Sequence, residues 1–383
     1  MQRLLLLLVL LAPSFASCRA LGLSNSGPLR LETVPGYLAE IDSSLEAGDA
    51  LDALDRLERV NRTANIEPAD RVRADRQLDV AMEAAVSGLH QGVYDSADLS
   101  DIFGLELPTR ARARAGVEAA FDLASRDHPV AAYKMARKVE FALPAHPERQ
   151  RAGDLLQDVG FEMVERDDNY FWIFSYRQRG IEALEFLVSR YPFHPSCEEA
   201  YRKLSVAYER VDDLDRAIER LSDLLVYHPD TSFRGEAEAR LATLRLKRIE
   251  LDEYDRSELV RARDELAAWL DRFSDHPLRE DVFDTLDDAH VRLAQSDMSL
   301  ARYYARIDVA RGVQLHATRA IDEAGRSRLE RHAETVRTLV ADAERLIAEH
   351  PIVEGEDDGE VFTPLVGDDL EVNDPLGPNL MDK

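Results

Sequence analysis

Six of the ten histidines stand directly before a proline: His128, His146, His194, His228, His276 and His350. Imidazole is a common metal ligand and the side chain that titrates nearest neutrality, so a zinc centre is the first chemistry to weigh. Zinc needs three or four donors within about 2 Å of one point. These six instead mark the ends of successive helical stretches, as in "EFALPAHP", "SRYPFHP", "LLVYHP", "DRFSDHP" and "IAEHP". A residue before proline is pushed out of the helical region, and a histidine near a helix C-terminus suits the dipole. The expected role is punctuation, and neither a metal nor another cofactor is expected.

Asp287, Asp288 and His290 also lie close together. Neighbouring positions on a helix point apart, so they read as surface charge. There is no glycine-rich phosphate loop, no G-x-S-x-G and no H-E-x-x-H. With 74 acidic residues, carboxylate pairs occur everywhere and none stands out for acid–base work. An enzyme is not expected. Of the two cysteines, Cys197 reads as a small residue in a helix–helix contact. The formal charge of −26 excludes a phosphate-neutralising surface, so nucleic acid is not an expected partner.

The elements that would position these residues are helices. From about 34 to 351, apolar residues recur three and four apart and strand alternation is absent. The stretches after the proline stops repeat one pattern. Ala152, Leu156 and Val159 match Ala200, Leu204 and Ala207, then Ala237, Leu241 and Leu244, then Val282, Leu286 and Ala289. Each unit returns as a second helix, as in "GIEALEFLVSRYP", "DRAIERLSDLLVYHP" and "ARDELAAWLDRF". Stacked units of this kind share one core.

Residues 198–229 resemble the tetratricopeptide repeat. Tyr201, Leu204, Tyr208, Leu221 and Leu224 fall on its apolar seam, and Ser205 and Ala217 on the small positions where the two helices approach. The expected fold is all-α, a right-handed superhelix of tetratricopeptide-like antiparallel helix pairs. Its domain would be 111–351. Helical pairs at 34–110 precede it, including a Gly48-Asp49 turn with Ala53 and Leu57 at repeat-like positions, and residues 90–110 read as a long loop. Residues 352–383 hold ten acids against Lys383 alone, and the expectation there is a disordered acidic tail.

The superhelix would carry a concave wall of first helices. Its residues are Glu199, Arg202, Val206 and Glu209, then Glu236, Ala239, Thr243 and Leu246, then Asp281, Asp284, Asp288 and Val291. The partner-binding candidates are Glu199, Arg202, Val206, Glu209, Glu236, Thr243, Asp281, Asp284 and Asp288. This wall leans acidic and suits a peptide with basic residues; the alternative is that these are solvated faces. The aromatic run "YFWIFSY", Tyr170–Tyr176, is placed in the first helix of a unit or just past its end. Phe171 and Phe174 would then share a core face, leaving Trp172 or Tyr176 for docking.

The N-terminus has the form of an export signal, 1–17: Arg3, eight aliphatics from Leu4 to Leu11, then Pro13. This run is too short to span a bilayer, which takes about 20 residues. Phe15-Ala16-Ser17-Cys18 resembles the bacterial lipobox, with Phe15 where leucine is usual. That resemblance implies lipidation of Cys18; the alternative is ordinary cleavage with Cys18 incidental. Arg19 after the cysteine favours the outer membrane, facing the periplasm.

"LAQSDMSLARYYARIDVARGVQLHATRAI", with Tyr303-Tyr304, Gly312 and Ala317, resembles the last repeats of the BamD lipoproteins of the β-barrel assembly machinery (BamD-like, about 160–325). That resemblance implies a lipid-anchored periplasmic scaffold that binds the barrel insertase or unfolded outer-membrane proteins. The alternative is a structural repeat lipoprotein organising envelope or peptidoglycan machinery.

Overall fold

The computed structural model describes residues 27–170, 174–249 and 256–352. The expected export signal with Cys18, residues 171–173 with Trp172, and the expected acidic tail from 353 onward lie outside these. The chain divides after Met163 into two compact units. The first holds α1 (Val34–Glu46), α2 (Ala50–Arg62), α3 (Pro68–His90), α4 (Ser96–Gly104), α5 (Thr109–Ser125), α6 (Pro129–Ala142) and most of α7 (Arg149–Glu165). The second holds a short hairpin of β1 (Asn169–Tyr170) and β2 (Phe174–Ser175), then α8 (Tyr176–Arg190), α9 (Cys197–Arg210) and α10 (Leu214–Tyr227). It continues with α11 (Arg234–Arg248), α12 (Arg256–Arg272), α13 (Arg279–Arg306), α14 (Ala310–Ala324) and α15 (Ala333–Glu349). Among the described residues the fold is all-α apart from that hairpin, and its antiparallel pairs are tetratricopeptide-like.

Four helix pairs close through one turn. Gly48, Asp127, Asp212 and Asp308 each take a left-handed φ, between +58° and +79°. Each donates to the carbonyl three residues back, and the next residue donates to the carbonyl five back, as Asp213 N does to Tyr208 O at 2.9 Å. This is the Schellman arrangement, which satisfies carbonyls left over at a helix end. Glycine adopts the left-handed region freely and aspartate tolerates it. Asp49 and Asp213 then accept from the backbone N–H three residues on and cap α2 and α10.

The starts of the first helices repeat just as closely. His146, His194, Thr231 and His276 each accept, through the backbone carbonyl, the N–H three residues ahead, at the openings of α7, α9, α11 and α13. His194 Nδ1 also accepts from Ser196 N at 3.3 Å and His276 Nδ1 from Leu278 N at 3.1 Å. Thr231 Oγ1 accepts from Phe233 N at 3.2 Å, so a hydroxyl replaces the ring in the unit that lacks His-Pro at this position. These histidines open helices as well as follow them. His128 likewise precedes α6 with Pro129 in its first turn, while His228 and His350 cap the ends of α10 and α15.

The repeat triplets form the core. Ala200, Leu204, Ala217, Leu221 and Leu224 are 0% exposed, and burial of each leucine contributes roughly 2 kcal/mol. Ser205 is also fully buried, and Cys197 is buried with its thiol donating to Tyr191 O at 3.1 Å. Burial pushes that thiol's pKa up. In the next pair Trp269 lies in the core and its Nε1 donates to Gly235 O at 2.8 Å. A side chain at Gly235 would press on the His276 ring at 3.0 Å.

Three sequence expectations are corrected. Residues 90–110 are not a long loop: Asp95 caps α4 through a capping box, and Leu99, Ile102 and Phe103 are buried. Apolar spacing in so short a helix is easily read as loop. "YFWIFSY" is not helical across its described part before Tyr176. Tyr170 pairs with Phe174 across a hairpin, stacked at 5.4 Å, and Phe174 is 45% exposed instead of in the core. β-branched and aromatic residues favour an extended chain. Finally, Asp287 is no surface charge. It is 2% exposed and accepts from Arg328 N at 2.6 Å and Ser327 Oγ at 2.7 Å, holding the loop after α14.

Candidate protein-binding surface

The first helices α9, α11 and α13 of the second unit share a face, which places the residues between their core positions side by side. The wall candidates meet there as a ladder of ion pairs. Arg202 bonds Glu199 at 2.5 and 2.8 Å and reaches Glu236 at 3.3 Å. Arg240 bonds Glu209 at 2.9 Å and lies 3.7 Å from Glu236, and Lys247 lies 3.6 Å from Glu209. Hydrogen bonding to Glu199 holds the Arg202 guanidinium protonated even more firmly than usual. Arg202 also lies over the Phe233 ring at 5.5 Å. Each pair is partly solvated, so it contributes little stability and mainly fixes where charge is displayed.

Below the ladder are two adjoining recesses, of about 280 and 460 Å³. Thr243 and Thr285 line both. The apolar floor comes from Ala239, Leu244 and Val282 in one and from Leu246 and Val291 in the other. Of the candidates, Glu209, Glu236, Thr243, Asp281 and Asp288 line these recesses. Glu199 and Arg202 stand in the ladder, Val206 is half-buried on the same helix, and Asp284 pairs with Arg331 at 3.3 Å.

The face is less acidic than its sequence implies. In the recesses four carboxylates meet the three cations Arg240, Lys247 and Arg292. Asp288 accepts from Arg331 at 2.7 Å and lies 2.6 Å from His332 Nε2, both from the segment leading into α15. Arg292 donates to Leu246 O and Ile249 O, closing the end of α11. Asp281 is exposed and has no ion-pair partner among the described residues. Arg240 and Lys247 reach Glu209 from a different helix, and Arg331 reaches Asp288 from beyond the α14 loop, so spacing along one helix does not disclose these pairings. Arrayed charge over an apolar floor can hold an extended or helical peptide by many modest contacts.

Two further groupings escape a reading of helix faces. Inside the α13–α14 pair, Asp297 and His316 are 0% and 1% exposed, with Arg256 forked onto the carboxylate at 3.3 Å. His316 stacks on Tyr304 at 5.5 Å, and Gly312 lies flat against that tyrosine ring. A third recess, of about 860 Å³, lies among α8, α9 and α10. Its signal in the sequence is the pair of aromatics, Phe193 and Tyr227, inside the proline stops.

No protein-family model matches this chain, and no curated protein matches it. Among solved structures, the chain is similar to the tetratricopeptide domain of P58(IPK), at 12% identity and a TM-score of 0.23, covering 84% of this chain and 80% of that one. It is also similar to a computationally designed self-assembling cyclic homo-oligomer, at 12% identity and a TM-score of 0.14, covering 82% of this chain and 96% of the design. The tetratricopeptide-like character stands on the chain's own recurring turns, small-residue contacts and buried triplets.

Proposed function

We propose that this protein is a helical-repeat scaffold that binds segments of other proteins along the first-helix face of its second unit. It would be anchored by lipid on Cys18 at the outer membrane and would serve the assembly of β-barrel proteins. The observation that supports binding is the pair of adjoining recesses with an apolar floor and a ladder of fixed charges. Side chains already held by ion pairs lose less freedom on binding than free ones. The anchor and the compartment rest on the "FASC" motif, and the role in barrel assembly rests on the resemblance carried by Leu293–Ile321.

The experiment places a photo-cross-linking amino acid at Thr243 or Thr285 in the lipoprotein in cells, followed by identification of the adducts. Adducts with the barrel insertase or with nascent barrel proteins support the proposal. Adducts confined to peptidoglycan-modifying proteins, with barrel protein levels unchanged on depletion, move the function to envelope organisation. Absence of adducts at both positions, with adducts at an outward position such as Val226, overturns the assignment of this face.

A further inference from the structure

The third recess differs from the first-helix face in kind. It opens between α8, α9 and α10, and Glu185, Glu198, Glu219 and Asp223 bring four carboxylates to it. The one guanidinium there, Arg220, is shared by three of them. Its Nη1 lies 2.7 Å from Asp223, its Nη2 2.9 Å from Glu219 and its Nε 3.4 Å from Glu185. Glu198 accepts from the Thr231 hydroxyl at 2.7 Å and lies 3.8 Å from His228 Nδ1. The recess therefore keeps an excess of negative charge even after every internal pair has formed. Burial pushes the Asp223 carboxyl upward in pKa; Arg220 opposes this and Glu219 adds a smaller push in the same direction as burial.

The rim is aromatic and exposed. Phe193 is 97% exposed, the most of any large hydrophobic among the described residues, and Tyr227 is 66% exposed. Phe193 sits between Pro192 and His194-Pro195, so a stiff backbone presents it to solvent. Tyr201 lies deeper, 7% exposed, with its ring centroid 5.9 Å from that of His228. Four carboxylates around one guanidinium, beside an aromatic rim, match one chemistry: a cation on an apolar stem, its charge on the carboxylates and its stem and neighbours against the rings.

We propose that this recess binds an arginine- or lysine-bearing segment of a partner polypeptide, with an apolar residue beside the cation, at a site separate from the first-helix face. Phe193 and Tyr227 flank the stem, and Glu219 and Asp223 take the charge. The site does not depend on the proposed role in barrel assembly.

The test uses the full chain in detergent and a fluorescein-labelled probe, Gly-Leu-Arg-Phe-Gly-Leu-Arg-Phe, followed by anisotropy. A control probe carries glutamate in place of each arginine. The arginine probe should bind, weakening as salt is raised, and the glutamate probe should not. Phe193→Ser and Glu219→Gln, both at exposed positions, should each weaken binding by roughly three- to tenfold. Thr243→Trp, which fills the junction on the other face, should leave binding unchanged. Equal binding of the two probes overturns the proposal. So does unchanged affinity in both variants, or lack of arginine-probe binding by protein whose circular dichroism is fully helical. Loss of probe binding only in Thr243→Trp also overturns it, and at the same time supports the first-helix face.

Discussion

The imidazole Nδ1 of His316 lies 2.9 Å from Oδ1 of Asp297, with both side chains excluded from water inside one helix pair. Arg256 closes the far side of the carboxylate with a side chain only 16% exposed. A buried charge left without one partner is costly, whereas an apolar pair of similar shape need not be. His316→Ala should therefore lower stability by about 3 kcal/mol. The double variant Asp297→Leu/His316→Phe should lose less than either single change. Urea unfolding read by circular dichroism measures both, and equal losses in the single and double variants would refute a charge-pair role.

Gly312 meets the Tyr304 ring so closely that a Cβ there would overlap it. Gly312→Ala should cost about 1–3 kcal/mol by overpacking, despite alanine's better helix propensity. Adding Tyr304→Leu should recover part of that loss. Thermal unfolding of the two variants decides between steric and propensity effects.

At Asp212 the backbone φ of +60° sets a specific demand. Asp212→Asn should be nearly neutral, while Asp212→Val should cost about 1–2 kcal/mol because a β-branched residue resists the left-handed region. The same pair of changes at Asp127 and Asp308 should give the same order, measured by denaturant midpoints.

In the first unit, Arg73 and Gln77 donate to the two oxygens of Asp42, each at 2.5 Å. The hydrogen bond from Arg73, then that from Gln77, holds its carboxyl below the ordinary value of 3.8. A depressed folded pKa stabilises fully above the unfolded value and is lost as pH falls through the folded value. The contribution should therefore be constant from neutrality down to the ordinary carboxylate range and disappear below it. In Arg73→Met the acid limb of the stability–pH curve should be shallower there. An unchanged limb would show that Asp42 has no such linkage.

Much of this architecture can be read from residue order, and the reasons are local. Proline stops, the Ala200–Leu204–Ala207 spacing and the small residues Ser205 and Ala217 act within one or two turns of helix, so sequence carries them directly. The α4 segment hides because nine residues hold too little periodicity to outweigh Gly104 and Pro108. The aromatic run misleads because its pairing joins residues four apart on two strands, a spacing that also suits a helix. For the first-helix face, the candidate residues follow from repeat position. Their neutralising partners do not, since Arg240 and Arg331 lie about 30 and 40 residues from Glu209 and Asp288. Asp287 passes for surface charge because polarity alone cannot distinguish a solvated carboxylate from one that anchors a loop.

Every Schellman turn described above is closed by bonds that span no more than five residues. A hairpin of this design can set as soon as its own stretch of chain is available, without waiting for distant segments, and local closure of this kind is fast. For a polypeptide delivered end-first, assembly would advance like a zip fastener, one tooth at a time from whichever end arrives.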